Sequence, residues 1–152
     1  MASETLAAVL EREHRAIDEG IEAFTASGGQ DTGPLKRSLD ALRRHIYLEE
    51  EFLFPPLREG GLMAPIFVML REHGDLWRAM DRLEAEPGGD AGQDAARELL
   101  ALLEQHNSKE EPIIYPQGDA VLSDQAKAEL HEFIDNGRMP PGWVCAQARP
   151  RG

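Results

Sequence analysis

Residues 45–55, HIYLEEEFLFP, return at 106–116 as HNSKEEPIIYP, with histidine, two glutamates, an aromatic residue and proline at the same offsets. The repeat also reaches backwards. Arg12-Glu13-His14 recurs as Arg71-Glu72-His73, the first histidine 31 residues before His45 and the second 33 before His106. Each half therefore reads REH, a loop, then H-x-x-x-E-E-x-x-x-[FY]-P. Two copies of a helical hairpin of roughly sixty residues are too few and too long for a solenoid. They predict two hairpins packed about an approximate two-fold axis.

The apolar periodicity agrees. Amphipathic helices are expected from Glu4 to Ser27, from Pro34 to Arg58, from Pro65 to Glu86 and from Gln93 to Ile114, separated by SGGQDTG, EGG and PGGD. A fifth, shorter helix is expected at SDQAKAELHEFIDN, capped by Ser123 or Asp124 and ended by Gly137. Short connections make neighbouring helices antiparallel. The expected fold class is all-α: an antiparallel up-down-up-down four-helix bundle of two pseudo-two-fold related hairpins, plus a short C-terminal helix. One domain is expected over 1–137. An irregular tail is expected over 138–152, pinned onto the bundle by Trp143. Pro55, Pro112 and Pro116 lack an amide hydrogen, so each is expected to kink or end its helix.

Composition narrows the function classes. Acidic residues number 28 against 16 basic ones, for a net charge of −12. Such a surface repels phosphate backbones, so no nucleic-acid partner is expected. No apolar run is long enough for a membrane span, and acids early in the N-terminus fit neither a secretory signal nor a transit peptide. The expected compartment is the cytoplasm. A single cysteine, Cys145, excludes an intramolecular disulfide and is given no role.

Helical spacing puts all four repeat histidines on apolar stripes. His14 shares a face with Leu10, Ile17 and Ile21; His45 with Leu42, Leu48 and Phe52; His73 with Ile66, Met69, Leu76 and Trp77; His106 with Leu99, Leu103 and Ile113. Glu49 and Glu110 project from the same stripes. Burying an unpaired carboxylate costs several kcal/mol, and no lysine or arginine falls at these core positions. Two divalent cations would supply the missing charge. A histidine and a glutamate four residues apart reach one ion from one helix. Doubled, and joined by His14 and His73, the pattern predicts a symmetric dinuclear set: His14, His45, Glu49, His73, His106 and Glu110, the two carboxylates bridging. Without thiolates the set suits iron, manganese or zinc rather than structural zinc or an iron–sulfur cluster. Open positions inside a helical bundle favour iron.

These residues resemble the hemerythrin-like, or HHE cation-binding, family, whose signature is H…HxxxE…H…HxxxE over four helices. The resemblance covers roughly residues 4–118. It implies a non-haem di-iron centre of two Fe ions, oxo- or hydroxo-bridged, ligated by the six residues above. Oxygen-carrying members have a fifth histidine four residues after the third, and an aspartate five residues after the last. Here Trp77 takes the first position, filling its volume, and Glu110 falls one residue earlier than that aspartate. The set is therefore more similar to bacterial members linked to nitric oxide, peroxide or iron–sulfur repair, although the sequence has no cysteine motif of the repair proteins.

The expected function is binding or sensing of a small diatomic or peroxide ligand (O2, NO, H2O2), or iron handling. The alternative is a di-iron redox enzyme acting on peroxide or NO, or iron–sulfur cluster repair; the sequence leaves enzymatic turnover and the electron donor open. For Glu13, Glu50, Glu72 and Glu111 the plainer reading is a solvated face, with a hydrogen bond to a ligand histidine as the lesser one. For Tyr47 and Tyr115 the plainer reading is packing, with a place near the centre as donors to a bound oxygen species as the lesser one, and His131 reads as a surface residue of the fifth helix.

Overall fold

A computed structural model describes residues 4–150. The chain is all-helical, with no strand among the described residues. Helix α1 spans Leu6–Ala26 and α2 spans Thr32–Leu48. A π-helical turn at Glu49–Leu53 carries α2 directly into α3, Phe54–Glu59. Helix α4 follows at Met63–Ala85 and α5 at Gly89–Lys109. A second π turn, Glu110–Ile114, leads into α6, Tyr115–Val121, and α7 closes the series at Asp124–Asn136.

The caps follow local chemistry. Thr5 accepts the Ala8 amide at the start of α1, and Ser123 accepts the Ala126 amide at the start of α7. Of the two candidate caps for the last helix the structure uses Ser123, and Gly137 ends it. Asp119, from α6, accepts the Leu6 and Ala7 amides and so ties the first turn of α1 to the end of the second half.

The second rod runs to Glu59, close to the expected Arg58, and the fourth runs past the expected Ile114. Neither ends at its prolines. Pro55 and Pro116 each occupy the second position of a new helix, α3 and α6, and Pro112 lies within the second π turn. The turns already reroute the amide ladder: the Phe54 and Tyr115 amides reach back five residues, to the Glu49 and Glu110 carbonyls. A proline at such a junction costs less than in an α-helix interior. The fourth helical rod consequently runs past Ile114 to Val121.

The core forms two apolar clusters. One gathers Ile17, Phe24, Leu42, Leu76, Leu103 and Cys145 among others; the second gathers Leu10, Leu48, Met69, Ile114 and Phe133 among others. Each of α1, α2 and α4 passes from one cluster to the other at its histidine, and the fourth rod does so between Leu103 and Ile114, around His106. A polar layer thus sits between two apolar halves.

The tail is more ordered than its Pro and Gly content implied. It makes a 3-10 turn at Ala146–Ala148 and buries Cys145 completely. Trp143 does pin it, with its ring 5.0 Å from Tyr47 and 5.7 Å from Trp77 and its indole nitrogen donating to Glu51. Tyr47 packs as expected, also against Phe52 and Phe133. His131 is only partly exposed.

Contacts between α1 and α2 pair rising with falling residue numbers: His14 with His45, Ile17 with Ser38, Gly20 with Pro34. The helices approach closely at Gly20, where a Cβ would lie 1.9 Å from Ser38 Oγ and 2.8 Å from the Pro34 carbonyl oxygen. Gly-to-Ala inside a helix ordinarily stabilises by up to about 1 kcal/mol. Here the clash reverses the sign: Gly20→Ala is expected to destabilise by about 1–3 kcal/mol in urea unfolding. A midpoint at or above wild type would contradict this close approach.

Candidate metal centre

The polar layer brings together all six residues singled out as ligands. His14, His45, His73, His106, Glu49 and Glu110 are each at most 3% exposed. They form two groups, His14-His45-Glu49-Glu110 and His73-His106-Glu49-Glu110, whose donor atoms within each group lie within 4.8 Å of one another. Glu49 and Glu110 belong to both. Glu49 Oε2 is 3.2 Å from His45 Nε2 and Oε1 is 3.0 Å from His73 Nε2. Glu110 Oε1 is 3.2 Å from His14 Nε2 and Oε2 is 3.3 Å from His106 Nε2.

The four neighbouring glutamates correct the solvated-face reading. Each lies against the Nδ1 of a ligand-type histidine on another helix. Glu111 holds His14 at 2.7 Å, Glu13 holds His45 at 2.7 Å, Glu50 holds His73 at 2.8 Å and Glu72 holds His106 at 2.9 Å. Each helical rod thus supplies the acid for the histidine of the next, in a closed ring. One step along a helix rotates a side chain by about 100°, turning it from the centre toward the adjacent helix. The adjacency was visible in the sequence; which helix lay alongside was not. Such carboxylates orient imidazoles and raise their basicity as ligands.

Glu72 is paired with Lys109 as well as His106. Glu50 has a second partner in the tail: its Oε1 accepts the Ala146 amide at 3.0 Å. The adjoining Cys145 thiol is pushed up to about 12 by burial and by the Glu50 carboxylate, so it stays protonated.

Tyr115 is the second correction. It is fully buried at the centre rather than in an apolar cluster alone. Its hydroxyl lies 2.7 Å from Glu49 Oε2, 2.8 Å from Glu110 Oε1, 2.8 Å from His14 Nε2 and 3.0 Å from His45 Nε2. In a regular α-helix residues five apart differ by about 140°, so Glu110 and Tyr115 would face apart. The π turn between them puts both inward. Regular helical periodicity therefore does not bring Tyr115 inward; the π turn at Glu110–Ile114 does so, in the tertiary structure. Trp77, by contrast, packs in the apolar cluster against Trp143, with the Arg43 guanidinium over its ring.

The electrostatics follow from this packing. Burial alone would lower the imidazoles of His45, His73 and His106, but the carboxylates win. His106 is raised to about 10 by the Glu110 carboxylate 3.3 Å from its Nε2 and by its hydrogen bond with Glu72. His45 rises well above the ordinary range against the same desolvation, through Glu49 and Glu13, and His73 rises through Glu49 and Glu50. Burial works against ionised Glu110, yet His106 and His14 hold it well below the carboxylate range. Without metal, protons on His45, His73 and His106 supply positive charge to this layer.

The donor set fits cations on its own chemistry. Four imidazole Nε2 atoms and two carboxylates converge with no buried lysine or arginine among them. Metal–ligand bonds of about 2.0–2.2 Å put donors on opposite sides of one ion about 4.4 Å apart, within the spread of each group. Glu110 Oε2 makes no hydrogen bond although it is buried, which leaves a lone pair unclaimed. A cleft of about 710 Å³, lined by Asp18, Asn107, Glu111 and His14, reaches this layer between α1 and α5. Among the described residues no helix is long and apolar enough to cross a membrane.

Metal-free protein should show a stability optimum set by these groups. His106, ordinarily 6.5 and here about 10, contributes fully below pH 6.5 and loses its contribution as pH climbs toward 10. Glu72, ordinarily 4.5 and here about 2, contributes above pH 4.5 and loses it as pH falls toward 2. The melting midpoint of the metal-free chain, followed by circular dichroism, is expected to peak between about pH 4.5 and 6.5. A midpoint that keeps rising above neutral pH would contradict the charged-imidazole account.

The Hemerythrin HHE cation binding domain model matches residues 5–117. Among curated proteins the chain is similar to uncharacterized proteins of Mycobacterium bovis and of Mycobacterium tuberculosis, each 29% identical over 143 residues, covering 84% of this chain and 56% of the relative. The chain thus spans just over half the length of the curated relatives it matches. No solved structure gives a significant match.

Proposed function

This chain belongs to the hemerythrin HHE cation binding domain family, and from that premise we propose that it is a non-haem di-iron protein that binds or senses a small diatomic or peroxide ligand or handles iron. The observation that carries the reading is the convergence of four imidazoles on two shared carboxylates, in two groups of four donors. We assign His14 and His45 to one ion, His73 and His106 to the other, and Glu49 and Glu110 to both as bridges. In the same proposal the bundle is an antiparallel up-down-up-down pair of hairpins, supported by the reversed residue pairing of α1 with α2 and of α4 with α5, where Glu72 meets His106 and Arg82 meets Glu98. Residues 1–137 are its metal-binding unit and 138–152 its tail, of which 1–3 and 151–152 lie outside the described residues. Cytoplasmic residence belongs to the proposal too.

When bound, the irons would supply an open coordination position and reversible one-electron chemistry. The chain's own residues do the rest. Glu13, Glu50, Glu72 and Glu111 hold each imidazole by its Nδ1, so that Nε2 faces the centre. Leu48, Leu53, Ile66 and Ile114, buried in the adjoining apolar cluster, keep bulk water from that end of the layer. The cleft between α1 and α5 is the route in from solvent, and its own walls include Glu111 and His14. Metal uptake would displace the imidazole protons, so loading releases acid and weakens at low pH.

Redox turnover of peroxide or NO, or iron–sulfur cluster repair, is the alternative for the same centre. The observation that favours turnover is the Tyr115 hydroxyl at its middle, placed to give a proton.

Metal content of protein purified from iron-supplemented cells tests the reading. About two irons per chain are expected, with reversible spectral changes on adding NO, O2 or peroxide if binding is the function and steady consumption if turnover is. Zinc, or a colourless metal-free protein, would overturn it. Glu49→Ala and Glu110→Ala each remove a bridge common to both groups, so either is expected to lower iron content far below wild type and reduce thermal stability. Wild-type iron content in both variants would sink the bridging assignment.

A further inference from the structure

The doubled motif is not fully symmetric, and the break falls at the centre. Nine residues after His45 stands Phe54; nine residues after His106 stands Tyr115. Both are buried, and each follows a π turn that brings it to the inner face. Their placements correspond. Phe54 lies on His73 with centroids 5.3 Å apart and planes 22° from parallel; Tyr115 lies by His14 at 5.5 Å and 32°. Phe54 offers only carbon to the centre. Tyr115 adds an oxygen within 3.0 Å of Nε2 of His14 and His45 and of one oxygen each of Glu49 and Glu110. Those four residues are one complete donor group. Among the described residues the hydroxyl contacts no other histidine.

Resting on the di-iron reading above, we propose that Tyr115 is a seventh protein ligand, bound by the His14/His45 ion alone, and that the His73/His106 ion beneath Phe54 is the one left open to an external ligand. A single phenol proton cannot satisfy two carboxylates at once, and every partner the hydroxyl has is a group that the ions would claim. Once those lone pairs turn to metal, a buried hydroxyl would be left without a partner, which is costly. Joining the ion resolves this. The iron–oxygen bond forms as the O–H bond breaks; the proton leaves to solvent through the cleft at His14, and no electron is transferred. Phenolate is an established protein ligand for iron, as in tyrosine-ligated haem. One ion then has five protein ligands and the other four. The centre becomes inequivalent by substituting oxygen for carbon at one repeat position, with no fifth histidine.

The experiment is visible absorption and iron analysis on the ferric, full-length protein. Phenolate-to-iron charge transfer gives a visible band that imidazole and carboxylate ligands do not. The chain has two tyrosines, and Tyr47 sits in the Phe52–Phe133–Trp143 cluster. The band is expected in wild type and in Tyr47→Phe. Measured per iron bound, it is expected to vanish in Tyr115→Phe, and azide, used as the probe ligand, should then bind that variant at higher stoichiometry per iron. Full iron without the band in wild type, or an unchanged band in iron-replete Tyr115→Phe, would overturn the tyrosine assignment and leave the di-iron reading standing. Failure of wild type to take up iron would sink both. Should Tyr115→Phe fail to fold, Phe54→Tyr decides: roughly doubled band intensity supports the assignment, and unchanged intensity in an iron-replete sample refutes it.

Discussion

A layer of buried ionisable side chains must balance its own charge, and the rest of this structure is arranged around that requirement. Four imidazoles and two carboxylates lie between two apolar clusters, where an uncompensated charge costs several kcal/mol. Glu49 and Glu110 ionise there because histidines face them, and His45, His73 and His106 charge because glutamates face them. Cations at the same place would take over the role of the imidazole protons. Exchange of protons for metal ions would keep positive charge at the same place, so the same packing can serve both states.

Orientation is solved by a ring that passes round the bundle. On each helical rod a residue of the layer has a sequence neighbour turned toward the adjacent rod, where its carboxylate meets Nδ1. The ring closes from Glu111 back to His14. One member extends outward: Glu50 also takes the Ala146 amide, so the packed tail reaches His73 through a single side chain. Trp143 and Cys145 anchor that tail in the apolar half of the core. A segment poor in regular structure therefore shares in positioning the most deeply buried chemistry of the chain.

The two π turns reconcile competing demands on the second and fourth rods. A carboxylate and an aromatic ring five residues apart must both face inward, which a regular α-helix cannot arrange. Widening one turn does so and, at the same junction, accommodates the prolines. The price in backbone regularity falls at the centre, as π turns often do at functional sites. Because the two halves share this device but differ at its last residue, the near-symmetry ends in one carbon edge and one oxygen.

The doubled H-x-x-x-E register, read with the apolar stripes and the two REH triplets, was enough to place His14, His45, Glu49, His73, His106 and Glu110 in one layer of an all-helical chain. It was enough because helical spacing converts sequence offset directly into a face, and six donor residues on apolar faces have few ways to be satisfied. Trp143 as a pin and Tyr47 as packing were legible for the same reason: large aromatic area seeks cover. The carboxylate ring was not, since Glu13, Glu50, Glu72 and Glu111 look like solvated residues until the neighbouring helix is in place. Nor was Tyr115, whose inward turn depends on a local winding that periodicity averages away. The sequence by itself determined which side chains face the centre; the tertiary structure decided which carboxylate meets which imidazole and that a phenol stands among them, because those pairings are made between helices rather than along them.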